Sequence, residues 1–359
     1  MTIAARTWLD KIEPYRPGKK SSVSAGSLAS NESPIGASPA VARAVLLAVA
    51  NVHRYPDPLC ADLRRELAKQ HGVDPDQILI GNGSDELIYL LAWAYLAGGG
   101  RVVCADPAYR IDEISTYVVN AQMIKVPLVN WAHDLDKMAE VDADIAYVVN
   151  PHNPTGTTRS LTDIKRFVAA CKSKLVVVDE AYIDFADDPQ QTTAMGLARA
   201  GKVAVLRTFS KIYGLAGLRV GYLVADASII ATLQKIRAPF SVGSLSQAGA
   251  LAAALDVGHR DTVRSHTLRL RAEVEALLRR AGFDPVPSQA NFVLVQVPDE
   301  SAFVARLAAA DISVRPGSAL GLPGKVRISV PSASGLQLLE KALFGSETPT
   351  HTSELHRTP

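Results

Sequence analysis

Lys211 stands in Thr208-Phe209-Ser210-Lys211, and a glycine loop ending in arginine, Gly214-Leu215-Ala216-Gly217-Leu218-Arg219, follows it. A lone lysine after a strand is usually a solvated loop residue. Flanked by hydroxyls and followed by a fixed arginine fork, it could instead form a Schiff base, with Ser210 and Arg219 holding a phosphate. A second candidate is Asp179, in Val176-Val177-Val178-Asp179-Glu180-Ala181-Tyr182. It places a carboxylate at the C-terminal end of an apolar strand, where open α/β sheets bind ligands. Asp179 could cap a helix, or lie buried against a cationic ring nitrogen that compensates its burial.

Asn150-Pro151-His152-Asn153-Pro154-Thr155-Gly156 also follows an apolar strand. Its prolines and glycine fix a turn that could present Asn153, or simply be rigid. Gly81-Asn82-Gly83-Ser84-Asp85-Glu86 lies between a strand and a helix, where backbone amides make an anion cradle. It lacks the Lys-Ser/Thr ending of a nucleotide P-loop. Asp179 follows Asn153 by 26 residues and precedes Lys211 by 32. Each interval is one strand–helix unit, so all three side chains can share one sheet edge.

The elements that must carry these residues are legible as β-branched runs at 77–81, 101–105, 122–126, 145–149, 174–179, 203–207 and 220–224. Segments with helical spacing, such as 85–97 and 160–173, separate most of them. Runs apolar on both faces suit strands covered on both sides. The expected fold class is therefore α/β, with a mostly parallel seven-stranded sheet in a large domain, residues 31–255. A helix over 261–281, a strand over 290–297, a helix over 301–310, strands at 313–316 and 325–330 and a closing helix over 333–344 predict a smaller α+β domain. That domain takes residues 256–345 and the N-terminal arm, 1–30. The polar tail, 346–359, is expected to be disordered. An apolar run over 40–52 reads as an ordinary surface helix.

Composition narrows the function classes. Thirty-eight Lys+Arg against 36 Asp+Glu leave a net charge of +2, which argues against nucleic acid as a partner. No apolar stretch is long enough to span a bilayer, and the charged, proline-broken start does not read as a signal peptide. Cys60, Cys104 and Cys171 have no metal-site spacing and read as reduced thiols, so a cytoplasmic protein without a bound metal is expected.

Taken together, these motifs resemble fold-type I pyridoxal 5′-phosphate enzymes and, among them, the histidinol-phosphate aminotransferase family. Leu28-Ala29-Ser30-Asn31-Glu32-Ser33-Pro34-Ile35-Gly36, Arg54-Tyr55-Pro56-Asp57, Ser288-Gln289-Ala290-Asn291-Phe292, Val314-Arg315-Pro316 and Val326-Arg327-Ile328 extend the resemblance from Tyr15 to about Phe344. The resemblance implies that Lys211 binds the cofactor covalently and then moves the proton. It implies Asp179 against the pyridine nitrogen, Asn153 and Tyr182 on the phenolic oxygen, and Tyr109 stacked on the ring. Gly83, Ser84, Ser210 and Arg219 would hold the phosphate, joined by Tyr55 from the other subunit of a homodimer, and Asp85 and Thr208 would also bind the cofactor. Arg327, Arg315 and Tyr15 would bind the anionic groups of an amino donor and a 2-oxo acid. The implied reaction is ping-pong amino transfer from histidinol phosphate to 2-oxoglutarate in histidine biosynthesis. An aromatic amino donor, or decarboxylation as in the threonine-phosphate decarboxylases, would use much the same motif set. Arg110, after Tyr109, would add charge at the substrate mouth or point to solvent.

Overall fold

The computed structural model describes residues 5–14 and 21–345; Tyr15 and the tail 346–359 lie outside the described residues. Its larger sheet contains β1 (Ile78–Gly81), β2 (Arg101–Asp106), β3 (Gln122–Pro127), β4 (Ile145–Val149), β5 (Leu175–Asp179), β6 (Ala204–Thr208) and β7 (Gly221–Val224). The order across the sheet is β1-β7-β6-β5-β4-β2-β3. All neighbours run parallel except β7, which is antiparallel to β6 and β1. β1, β4 and β7 are buried along their whole length, and helices cover both faces. That two-sided burial explains why these strands read as continuous apolar runs.

The smaller sheet is antiparallel and contains β8 (Pro285–Val286), β9 (Phe292–Gln296), β10 (Arg315–Pro316) and β11 (Lys325–Ser329), in the order β10-β11-β9-β8. The helices Val257–Arg280, Glu300–Ala309 and Ala333–Phe344 pack around it over a core including Val274, Leu278, Val293 and Ile328. Residues 21–29 join this layer: Leu28 N donates to Ser313 O at 2.8 Å, and Ser313 N donates to Gly26 O at 2.8 Å. The short turn Thr7–Lys11 lies elsewhere, with Trp8 Nε1 donating to Val118 O at 3.2 Å on the helix Arg110–Val118.

The expected surface helix forms as Pro39–Val49, started by Ser38, whose hydroxyl accepts from Ala40 N at 3.1 Å. It is not an ordinary surface helix. Val41 is buried toward the helix Ser244–Leu255, while Leu46 and Leu47 stand 73% and 76% exposed. Among the described residues, no helix is long and apolar enough to cross a membrane, and no His/Cys/Asp/Glu group could hold a metal ion.

Candidate active site

Three successive parallel strands bring the predicted side chains to one edge. β5 lies between β4 and β6, with Asp179 opposite Val149 on one side and Leu206 on the other. Asn153 leaves the C-terminal end of β4, Asp179 ends β5, and Lys211 follows β6. No α-helix starts at Asp179; its Oδ1 accepts from Ala181 N at 2.9 Å, a local turn bond and not an α-helix cap. Asp179 is only 4% exposed, and burial pushes its carboxyl up to about 7. A cationic partner would reverse that penalty.

Lys211 Nζ donates to Ser30 O at 3.3 Å and lies 5.5 Å from the centroid of the Tyr182 ring. The Tyr182 hydroxyl accepts from Asn153 Nδ2 at 3.3 Å and from Asn31 Nδ2 at 3.0 Å. Asn153 Oδ1 in turn accepts from Arg327 Nη1 at 2.6 Å, which joins the smaller sheet to the large-sheet edge. Arg327 Nη2 donates to Ala29 O at 2.7 Å. Arg315 and Arg327 are directly opposite one another in the antiparallel register of β10 and β11, and both are buried. Two guanidinium groups placed in this way suit an anion with more than one oxygen.

On the opposite flank the helix Gly83–Tyr95 begins at the sheet edge. Gly83 has φ +76°, and a Cβ there would fall 2.6 Å from Arg219 Nη2, so glycine lets the arginine close over the helix start. A Cβ on Gly221 would collide with the Ser84 amide. Arg219 itself holds φ 51° at the start of β7; its Nη1 donates to Ser210 Oγ at 3.3 Å and its Nη2 to Asp85 Oδ2 at 3.1 Å. Thr208 Oγ1 accepts from Ser210 N at 3.1 Å, turning the chain toward Lys211. The Tyr109 hydroxyl donates to Asp85 Oδ1 at 3.2 Å, and burial raises the phenol well above its ordinary range.

Two sequence-predicted residues stand apart. Tyr55 is 83% exposed, with its ring stacked on Phe240 at 4.7 Å. Tyr15 lies outside the described residues. Arg110 is engaged and does not extend into solvent: it pairs with Glu113 and donates to Glu13 O, tying the N-terminal segment to the helix it starts.

Other functional residues escaped sequence reasoning. Asn31 is held at φ 55° with its side chain between Tyr182 and Ser329, whose Oγ donates to Asn31 Oδ1 at 3.0 Å. Asparagine is among the few side chains that tolerate that backbone. Glu180 is fully buried and accepts from Arg207 Nε at 3.0 Å and Nη2 at 2.7 Å, from Thr193 Oγ1 and from Ala194 N. A charged residue inside the apolar strand Ala204–Thr208 was the available signal.

The residues fit pyridoxal 5′-phosphate. A glycine-opened helix start with Ser84, Ser210 and Arg219 suits a phosphate dianion. A buried carboxyl at the next strand end suits a protonated ring nitrogen, and a lysine lies between the two flanks.

Residues 26–343 match the family model of the class I and II aminotransferases. The chain belongs to that family. This aminotransferase is 38% identical over 341 residues to a histidinol-phosphate aminotransferase of Symbiobacterium thermophilum, covering 91% of this chain and 94% of the relative. Its fold is similar to the histidinol-phosphate aminotransferase of Sinorhizobium meliloti solved with pyridoxal 5′-phosphate, with TM-score 0.86 and 27% identity over 95% of this chain and 97% of that one. The L-threonine-O-3-phosphate decarboxylase of Porphyromonas gingivalis shares the fold, at TM-score 0.78 and 23% identity over 88% of this chain and 98% of that one.

Proposed function

We propose that this aminotransferase moves the amino group of histidinol phosphate to 2-oxoglutarate, a step of histidine biosynthesis, as a cytoplasmic homodimer. The observation that carries the substrate choice is the opposed pair Arg315 and Arg327, both buried, with Arg327 tied to the cofactor edge through Asn153. A phosphorylated donor carries about −2 charge, and 2-oxoglutarate brings two carboxylates, so both substrates of a ping-pong cycle need such a pair. The similarity to relatives named for this activity supports the same choice.

Bound pyridoxal 5′-phosphate supplies an electron sink for the bond pair released at the donor's α-carbon. Lys211 would anchor it and would hold the proton moved to and from that carbon. Asp179 keeps the ring nitrogen protonated. Asn153 and Tyr182 would hydrogen-bond the phenolic oxygen, Tyr109 would stack on the ring, Gly83, Ser84, Ser210 and Arg219 would hold the phosphate, and Asp85 and Thr208 would also contact the cofactor. Tyr15, outside the described residues, is the third residue assigned to the anion site. Tyr55 reaches the phosphate of the partner subunit; its exposure, with that of Leu46, Leu47, Val52 and Leu59 in the same stretch of sequence, supports an apolar dimer face.

The test is kcat/KM with 2-oxoglutarate for histidinol phosphate and for phenylalanine, in wild type and Arg315→Ala. Wild type should prefer histidinol phosphate, and Arg315→Ala should lower that value by about 30-fold, about 2 kcal/mol, while touching phenylalanine far less. A wide preference for phenylalanine would replace this donor with an aromatic one.

A further inference from the structure

Asp112 lies one turn after Tyr109 on the helix Arg110–Val118, is 1% exposed, and has no hydrogen-bond partner on either carboxyl oxygen. The hydroxyl of Tyr147, on β4, is likewise buried and without a partner. Strand alternation puts both groups in one place. Tyr147 is opposite Val177 and Val149 is opposite Asp179, so Tyr147 shares the sheet face of Asp179. Cys104, next to the Val103–Ala146 pair, shares it too. Tyr109 and Ile111 pack onto the same cluster, so the start of their helix sits over this face. Packing alone gives no reason to keep a carboxyl and a phenol unsatisfied there.

We propose that Asp112 is a positioning residue for the cofactor, a second buried carboxyl behind Asp179 that strengthens the negative potential holding positive charge on the bound ring. This rests on the reading of the edge as a pyridoxal phosphate site. The groups coupled electrostatically to Asp112 are Cys104 on β2, Tyr147 on β4, Asp179 on β5, Asp85 on the helix Gly83–Tyr95 and Tyr109 just before its own helix, with Glu113 next to it in the chain. Glu113 is already paired with Lys125 at 2.7 Å and with Arg110. Burial, followed by Asp179 and then Asp85, raises the Asp112 carboxyl well above its ordinary range. With a cation opposite Asp179 the two carboxyls titrate as a coupled pair, so part of the negative charge that the cation draws resides on Asp112.

The experiment is a pH titration of the visible absorbance of the cofactor-loaded protein, in wild type, Asp112→Asn, Asp112→Ser and Asp112→Glu. Both neutral variants should bind cofactor and titrate at lower pH, by on the order of one unit. Asp112→Glu should return toward wild type. The neutral variants should also flatten the loss of melting temperature with rising pH in the cofactor-free protein, a readout independent of turnover. A visible band with an unchanged midpoint in both neutral variants overturns the role of Asp112 and leaves the site reading standing. Absence of any visible band in wild type overturns both.

Discussion

Asp179 is a buried carboxyl at the reactive edge of the sheet. Its carboxyl is buried at the end of β5 and pushed up to about 7, chiefly by desolvation. The sign of the consequence follows from proton counts. The folded, cofactor-free state holds a proton that the unfolded chain gives up near pH 4, so stability is fullest below that pH. It falls as pH rises toward 7, by up to about 4 kcal/mol for a shift of this size. Asp179→Asn should flatten that decline, measured as melting temperature against pH without cofactor. In the loaded enzyme, Asp179→Ala should cut kcat at least about 100-fold, about 3 kcal/mol, because the ring nitrogen loses its counter-charge. Near-normal turnover with cofactor bound would leave Asp179 only its turn bond to Ala181.

Strand ends and the pairs that fix them set the scale of elements. Glu180 follows Asp179, and Arg207 precedes Thr208 and the turn to Lys211, so their buried ion pair clamps β5 to β6 next to both reactive side chains. Removing one partner strands a charge in the core. Glu180→Ala should therefore destabilise the fold by about 3–5 kcal/mol, and adding Arg207→Met should recover part of it, as denaturant melts would show. Equal losses for the single and double variants would mean that the pair contributes packing and not charge balance. The seven strands of the large sheet were legible to within a residue or two; in β1, β4 and β7 both faces are buried, which leaves an unbroken apolar run, whereas the edge strand β3 is largely exposed. β8 was not, since two residues carry no period. The turn residues Asn153, Asp179 and Lys211 were legible from spacing. Asn31 and Glu180 were not, because their partners Tyr182 and Arg207 lie on other elements, and Asp112 was not, because it lies in a helix whose charges suggest a solvated face.

At the scale of the whole molecule, Leu46 and Leu47 on the helix Pro39–Val49 and the stacked Tyr55–Phe240 pair are exposed apolar surface that the proposed dimer would cover. If Tyr55 serves the partner's phosphate, Lys211→Ala and Tyr55→Ala subunits, each inactive alone, should regain activity when mixed. One site of the mixed dimer then carries neither defect. No recovery despite demonstrated subunit exchange would place each site within one chain. All of this depends on one lysine being the cofactor's anchor. The most direct measurement is borohydride treatment of the cofactor-loaded protein, followed by peptide mapping by mass spectrometry. The account predicts the reduced cofactor on Lys211 and its loss from that peptide in Lys211→Ala; a label on any other lysine, or none in a protein that binds the cofactor, would contradict it.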